Sequence, residues 1–177
     1  MIEVQPAQNA AVEEAPAPQP MIRTVRLRKD YKNVVAVKDL AMEIERGDVY
    51  GFIGPNGAGK TTTIKILATL IAPSSGSAFI DGLDVRDHPR EVRAKIGYMP
   101  DFFGVYDDMM VWEYLDFFAA AYKISRERRK RIIADVLELT DLHTKREAFV
   151  DSLSRGMKQR LCLAKTLVHD PQVLLLD

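Results

Sequence analysis

From Met21 onward the chain shows a legible rhythm of apolar and polar positions. IRTVRL, residues 22–27, alternates, as a strand with one buried face does. LAMEIERGD alternates again, with Leu40, Met42 and Ile44 on one face, and Gly47-Asp48 predicts a tight turn. VYGFIG, residues 49–54, is a continuous apolar run and predicts a strand buried on both faces. After a glycine-rich loop the period changes: through KTTTIKILATLI, Ile64, Leu67, Ala68 and Ile71 fall at helical spacing. PSSG breaks that helix, and SAFIDG predicts a further strand and turn. VRAKIGYMPDFFG, residues 92–104, predicts a short strand followed by irregular chain.

The texture then becomes helical. VWEYLDFFAAAYKI is rich in helix formers and aromatics. Ser125 is placed to cap RERRKRIIADVLELTDL, whose apolar stripe is Ile132, Ile133, Val136, Leu137 and Leu139. A third helix is predicted from about Met157 to Val168, ending before Asp170-Pro171. QVLLLD closes the chain as another fully buried strand type. The layout is therefore α/β: strands around a loop and helix, an all-helical insert over about residues 105–155, and a return to the sheet. Residues 1–20 are Ala/Pro/Gln/Glu-rich with few large apolar side chains, and predict a disordered tail ahead of one domain over 21–177.

Composition narrows this picture only a little. The 177 residues are 47% hydrophobic and 28% charged, as in an ordinary globular domain. Lys plus Arg and Asp plus Glu are both 25, so no basic excess argues for a nucleic-acid partner, and none is expected. RERRKR, Arg126 to Arg131, reads as the solvated face of its helix. The single cysteine, Cys162, allows no internal disulfide and suits a reducing, cytosolic setting. No run reaches the roughly 18 apolar residues of a membrane span. His88, His143 and His169 lack metal-ligand spacing.

Chemistry enters at Gly54-Pro55-Asn56-Gly57-Ala58-Gly59-Lys60-Thr61-Thr62, which satisfies the G-x-x-x-x-G-K-[ST] pattern between a predicted strand and a predicted helix. The glycines let successive backbone N–H groups turn inward as an anion nest, and the helix N-terminus adds its positive end. Lys60 offers a point charge to the β- and γ-phosphates of a nucleotide, and Thr61 a hydroxyl to Mg²⁺. A turn that merely caps a helix has no need of Lys-Thr at the helix start. The pattern says nucleotide, without saying what the nucleotide drives.

LSRGMKQRL, residues 153–161, resembles the signature motif of ATP-binding cassette (ABC) proteins, and residues 22–177 follow that family's order. The chain resembles the nucleotide-binding subunit of an ABC transporter, with a P-loop NTPase core, a mixed sheet and an inserted helical subdomain, incomplete at the C-terminus. The resemblance implies that Ser154, Arg155, Gly156 and Met157 face the ATP of a second nucleotide-binding domain, paired head to tail. Arg155 stands where the more usual signature has a glycine. VLLLD resembles the Walker B strand, so Asp177 is expected to reach the Mg²⁺ shell and, with Lys60, to serve catalysis. Tyr31 holds the place of the family's adenine-stacking aromatic. Asp101 falls where the family's Q-loop has Gln; being shorter and charged, it would bind Mg²⁺ more strongly and reach less far.

The function the resemblance implies is ATP binding and hydrolysis, with Mg²⁺, powering an integral membrane permease from the inner face of the cell membrane. The compact insert and the LSRGMKQRL type resemble ABC-2 exporters. The family's general base is a Glu directly after the Asp that ends its Walker B strand, and its switch histidine lies further on. The 177-residue chain is accordingly expected to be hydrolytically impaired, and its end on a buried-strand pattern to mark a truncation. Two other classes stay open: a non-transport ABC ATPase of DNA repair or translation, and a nucleotide-binding module without turnover. Phe102, Phe103, Tyr106, Trp112, Phe117 and Phe118 suit either the core or a surface for the membrane partner.

Overall fold

The computed structural model describes residues 19–101, 104 and 108–177. The expected tail, apart from Gln19 and Pro20, and the aromatics Phe102, Phe103 and Tyr106 lie outside them. Strands β1 (Ile22–Tyr31) and β2 (Val34–Ile44) form a long antiparallel hairpin. β3 (Ser75–Ile80) pairs with the other edge of β1, and the short β4 (Leu83–Asp84) completes a four-stranded sheet ordered β2-β1-β3-β4. β5 (Ile96–Met99) and β6 (Val173–Leu176) make a separate parallel pair with Ile96 opposite Val173 and Met99 opposite Leu176. The expected single mixed sheet is thus divided among the described residues into an antiparallel sheet and a separate parallel pair. Helix α1 (Lys60–Leu67) packs against β2 and β3, and α2 (Pro89–Lys95) leads into β5. α3 (Val111–Ala121), α4 (Arg126–Leu139) and α5 (Arg155–Leu167) pack on one another.

Two apolar cores result. One gathers Leu27, Ile44, Ile66, Leu67, Ala78, Ile80, Val92 and Leu175 between the strands and α1–α2. The other gathers Tyr114, Leu115, Ile133, Leu137, Leu142, Leu161 and Val168 among α3–α5. They meet where α5 lies on β5. A Cβ on Gly97 would stand 2.7 Å from Thr166 Cγ2 and 2.8 Å from the Thr166 carbonyl oxygen, so the helix rests directly on the strand backbone. At the same seam His169 is bonded to the Ile96 carbonyl through Nε2 (2.9 Å) and stacks flat on Tyr122 at 3.8 Å.

Several expectations need correction. VYGFIG forms no strand: residues 49–53 join no ladder among the described residues, and Val49 and Ile53 are almost fully exposed. Burial on both faces requires a ladder partner and a layer on each side, which an apolar run does not supply by itself. β6 exists but is buried on one face only, Val173 and Leu175 inward, Leu174 and Leu176 outward. α1 stops at Leu67, short of Ile71, because Thr69 takes φ 61°, which no helix can continue through. α4 is capped in place by Ser125 without a side-chain bond, and Leu139 is exposed. At 3.6 residues per turn, Leu139 points roughly 110° away from the centre of the Ile133, Val136, Leu137 stripe. α2 was not anticipated, although Pro89 at its first turn, Glu91 near its start and Arg93 and Lys95 in its last turn are ordinary helix signals.

Candidate functional site

Residues 54–59 run as an exposed loop into α1, with only Gly59 buried. Pro55 and Ala58 close a turn, the Ala58 N–H bonding to the Pro55 carbonyl at 3.2 Å. Gly57 (φ 82°) and Gly59 (φ 85°) sit in the left-handed region, which turns the intervening amides to one side. Gly59 is the N-cap of α1 and leaves no room for a side chain: a Cβ there would run into the Ala36 carbonyl of β2. The loop is therefore braced on the hairpin. The first-turn N–H groups of α1 have no intrahelical partner and open onto the same space.

Lys60 Nζ is folded back onto the loop, donating to the carbonyls of Gly54 (2.6 Å) and Pro55 (2.8 Å). The ammonium is thereby held over the mouth of the loop, where an anion would meet it. Thr61, one residue on, donates from Oγ1 to Asp177 Oδ1 at 2.8 Å. Asp177 is placed by the parallel pair: its N–H bonds to the Met99 carbonyl at 3.0 Å, just past the register Met99–Leu176. A hydroxyl and a carboxylate side by side are hard oxygen donors of the kind Mg²⁺ takes, so the residues present fit that ion. Beside them, burial and the Asp177 carboxylate together push the Tyr98 phenol up from its ordinary pKa.

Asp101 emerges two residues after Met99, at the same carboxyl end of the parallel pair as Asp177, and is exposed. Ligands in parallel α/β sheets gather outside that end of the strands. Tyr31 ends β1 opposite Val34, and 45% of its surface is exposed. The Gly59 loop touches β2 at Ala36, and Val34 lies two residues, about 7 Å, further along that strand. Tyr31 thus ends β1 one strand across from the stretch of β2 that the Gly59 loop touches. Lys29, on the same strand, holds its ammonium 5.2 Å from the Tyr31 ring centroid. Sequence reasoning passed over Lys29. Its position two residues before Tyr31 in a strand, hence on the same face, was the available signal.

The LSRGM segment lies elsewhere. Ser154 caps α5, its hydroxyl accepting from the Met157 N–H at 3.3 Å, and Ser154, Arg155 and Gly156 are exposed. α5 meets β5 through Thr166 near its far end, and a 13-residue helix rises about 18 Å from Arg155 to Leu167. The structure thus joins residues 54–62 to Asp177 through Thr61, with Asp101 two residues past the end of β5 and Tyr31 at the end of the hairpin that braces the loop. It sets residues 154–157 apart, on the helical unit.

The family model described as ABC transporter matches residues 37–177. The chain is 45% identical over 142 residues to the probable multidrug ABC transporter ATP-binding protein YbhF of Escherichia coli, covering 80% of this chain and 25% of that protein. It is 39% identical over 151 residues to the Nod factor export ATP-binding protein I of Burkholderia orbicola, covering 85% and 50%. To the ABC transporter ATP-binding protein NatA of Bacillus subtilis it is 38% identical over 151 residues, covering 84% and 61%. The chain thus spans a quarter to about six-tenths of the length of these curated relatives. Among solved structures, the dimeric bacterial ABC transporter cassette MJ0796 aligns with a TM-score of 0.80 at 25% identity, covering 89% of this chain and 73% of that one. The ATP-binding subunit of another ABC transporter aligns with a TM-score of 0.79 at 28% identity, covering 89% and 65%. The motifs, the loop-to-strand contact and these likenesses agree: the chain belongs to the ABC transporter family and carries its ATP-binding domain on a P-loop NTPase fold.

Proposed function

We propose that residues 54–62, Tyr31, Asp101 and Asp177 form one wall of an ATP site, in a subunit that drives an export transporter. The observation that carries this is the Thr61–Asp177 hydrogen bond, which joins the phosphate-binding loop to the end of β6 across 116 positions of sequence. In this reading the loop amides and Lys60 hold the phosphates, Tyr31 stacks on the base, and Thr61, Asp177 and Asp101 hold Mg²⁺. The ion, when bound, neutralises phosphate charge. Lys60 must release the Gly54 and Pro55 carbonyls to engage phosphate, an exchange of neutral acceptors for a charged one that favours the ligand.

The other wall comes from Ser154, Arg155, Gly156 and Met157 of a second nucleotide-binding domain, set head to tail. The exposure of Ser154, Arg155 and Gly156, at the end of α5 away from β5, supports this. The names of the relatives, two of them export ATP-binding proteins or multidrug ABC transporter proteins, support an exporter with an integral membrane permease as partner. No helix of the described residues is long and apolar enough to cross a membrane, so attachment to the inner face of the cell membrane would run through that permease.

Lys60, Thr61 and Asp177 are committed to phosphate and metal contacts in this arrangement, so none is available to take a proton from water. A polypeptide of these 177 residues should therefore bind ATP and turn it over slowly. Equilibrium binding of a fluorescent ATP analogue, with and without Mg²⁺, tests the reading together with a steady-state phosphate-release assay. Saturable, Mg²⁺-strengthened binding that unlabelled ATP displaces is expected. No binding would overturn the site; a turnover rate normal for an ATPase would overturn the proposed impairment.

A further inference from the structure

The Tyr31 ring has two faces, and one of them is already occupied. Lys29 Nζ lies 5.2 Å from the ring centroid, within the range at which an ammonium is attracted by an aromatic quadrupole. The same ammonium donates to the Ala72 carbonyl at 2.7 Å, in the segment that follows α1. Two neighbouring bonds tie the same two segments: the Asp30 N–H to Ser74 Oγ at 3.0 Å, and the Ser74 N–H to the Arg28 carbonyl at 2.8 Å. Lys29 is thus fixed at its tip, between the end of the hairpin and the chain leaving the phosphate-loop helix. A long ammonium side chain that would otherwise sample many rotamers has been given one place, over the ring.

We infer that Lys29 is a positioning residue for the nucleotide base: its tethered ammonium holds the Tyr31 ring at a fixed attitude to α1 and leaves the opposite face as the stacking platform. This rests on the reading of Tyr31 as the base-stacking residue. Two physical effects follow from the arrangement. The cation withdraws electron density from the ring, which strengthens stacking of an electron-rich purine on the far side. The tether to Ala72 reduces the ring's freedom before the base arrives, so less order has to be gained on binding. Neither effect reaches the triphosphate, which is gripped by the loop.

The test compares Mg·ATP with Mg·tripolyphosphate, which offers the same phosphate chemistry without a base. Lys29→Gln removes the cation and keeps an N–H donor for the Ala72 carbonyl; Lys29→Met removes both; Lys29→Arg keeps both. Lys29→Gln should weaken ATP binding about two- to fivefold, the range of an exposed cation–π contact. Lys29→Met should weaken it further, and Lys29→Arg should restore it, with tripolyphosphate affinity unchanged in all three. In a Tyr31→Ala background, Lys29→Gln should have no additional effect on ATP. ATP affinity unchanged in Lys29→Gln and Lys29→Met overturns the inference. So does an equal loss for tripolyphosphate, which would make Lys29 a general anion attractor or a fold support. If the unsubstituted protein binds neither ligand, the nucleotide reading itself fails; if it binds both and the Lys29 series is flat, only this inference fails. A thermal melt on each variant confirms that folded proteins are being compared, and the Gln variant carries the comparison should Met lower stability.

Discussion

Thr61 Oγ1 donates a hydrogen bond to Asp177 Oδ1 at 2.8 Å, joining the first turn of α1 to the end of β6. The two oxygens, a hydroxyl and a carboxylate, are both hard donors of the kind Mg²⁺ takes, and each is the other's partner. Asp177→Ala should therefore remove the Mg²⁺-dependent part of ATP affinity while leaving the Mg²⁺-free part. Loss of a metal-orienting partner typically lowers metal affinity on the order of tenfold or more. Titrations of ATP at saturating Mg²⁺ and in chelator measure both; an equal loss in the two conditions would show that Asp177 acts on the loop and not on the ion.

Among the described residues Lys60 Nζ bonds to two exposed loop carbonyls, those of Gly54 and Pro55. Lys60→Met should thus leave thermal stability within about 0.5 kcal/mol, as a surface substitution does. It should lower ATP affinity at least tenfold, since hydrogen bonds to charged groups contribute about 1.5–3 kcal/mol each. A melting curve and an ATP titration on the same preparation separate the two effects.

Two glycines of the loop share a left-handed backbone and differ in their surroundings. A Cβ on Gly57 (φ 82°) meets nothing within 4 Å, whereas one on Gly59 (φ 85°) meets the Ala36 carbonyl. Gly57→Ala should carry conformational strain alone, about 1 kcal/mol, and Gly59→Ala strain plus displacement of the loop from β2, about 2–4 kcal/mol in all. Denaturant midpoints at constant m-value read the difference. Equal losses at the two positions would show that Gly59 is not braced on the hairpin as its geometry indicates.

His169 supplies a pH dependence. Burial holds its imidazole below the ordinary histidine range, against weaker upward pulls from the Ile96 carbonyl and Asp170. Its Nδ1 is buried and carries no hydrogen bond, so a proton there has no acceptor. The folded state therefore binds this proton less readily than the unfolded chain, and stability rises with pH in this range. The stability is fully present above about pH 6.5 and is lost as pH falls from there toward the lowered folded value. Asp81 and Asp84, both lowered, act further down, below the ordinary aspartate range near 3.8. His169→Phe, which keeps a ring against Tyr122, should be less stable at neutral pH and show a flatter dependence between pH 5 and 7. A slope as steep as that of the parent would assign the effect to another group.

What the sequence made legible was local. The nine residues from Gly54 to Thr62 are contiguous, and their chemistry depends on a turn and a helix start that the same residues encode. Thr61 and Asp177 were each expected at Mg²⁺, Asp177 through the order of motifs in the family; their direct hydrogen bond was not foreseen, since no spacing rule joins positions 116 apart. Burial was where pattern reading failed: Val49 and Ile53 are as apolar as Leu175, and only the strands found beside them decide which is covered. α2 was passed over because its seven residues bury Val92 and no other, so it shows no apolar stripe, only end signals. Lys29 was passed over for a different reason: a lysine beside a tyrosine has a solvated reading by default, and its bond to Ala72 is set by the fold.

The seam between the two cores offers the sharpest mechanical test. Gly97 lies under α5 with Thr166 Cγ2 at 2.7 Å, the Thr166 carbonyl at 2.8 Å and Leu174 Cδ2 at 3.0 Å from a virtual Cβ. Thr166 is fixed in turn, its hydroxyl donating to the Cys162 carbonyl at 2.8 Å, so the methyl has no simple rotamer escape. Gly97→Ala must lift the helix off the strand, an overpacking effect of about 1–3 kcal/mol. Because α5 carries Ser154 and Gly156 about 15–18 Å from this point, a small tilt at the seam becomes a larger displacement of the LSRGM end. Thr166→Ser in the same chain removes the Cγ2 methyl and should recover part of the stability lost. Chemical denaturation of the single and double variants measures this coupling. Strictly additive losses would mean that Thr166 is not what holds α5 against Gly97.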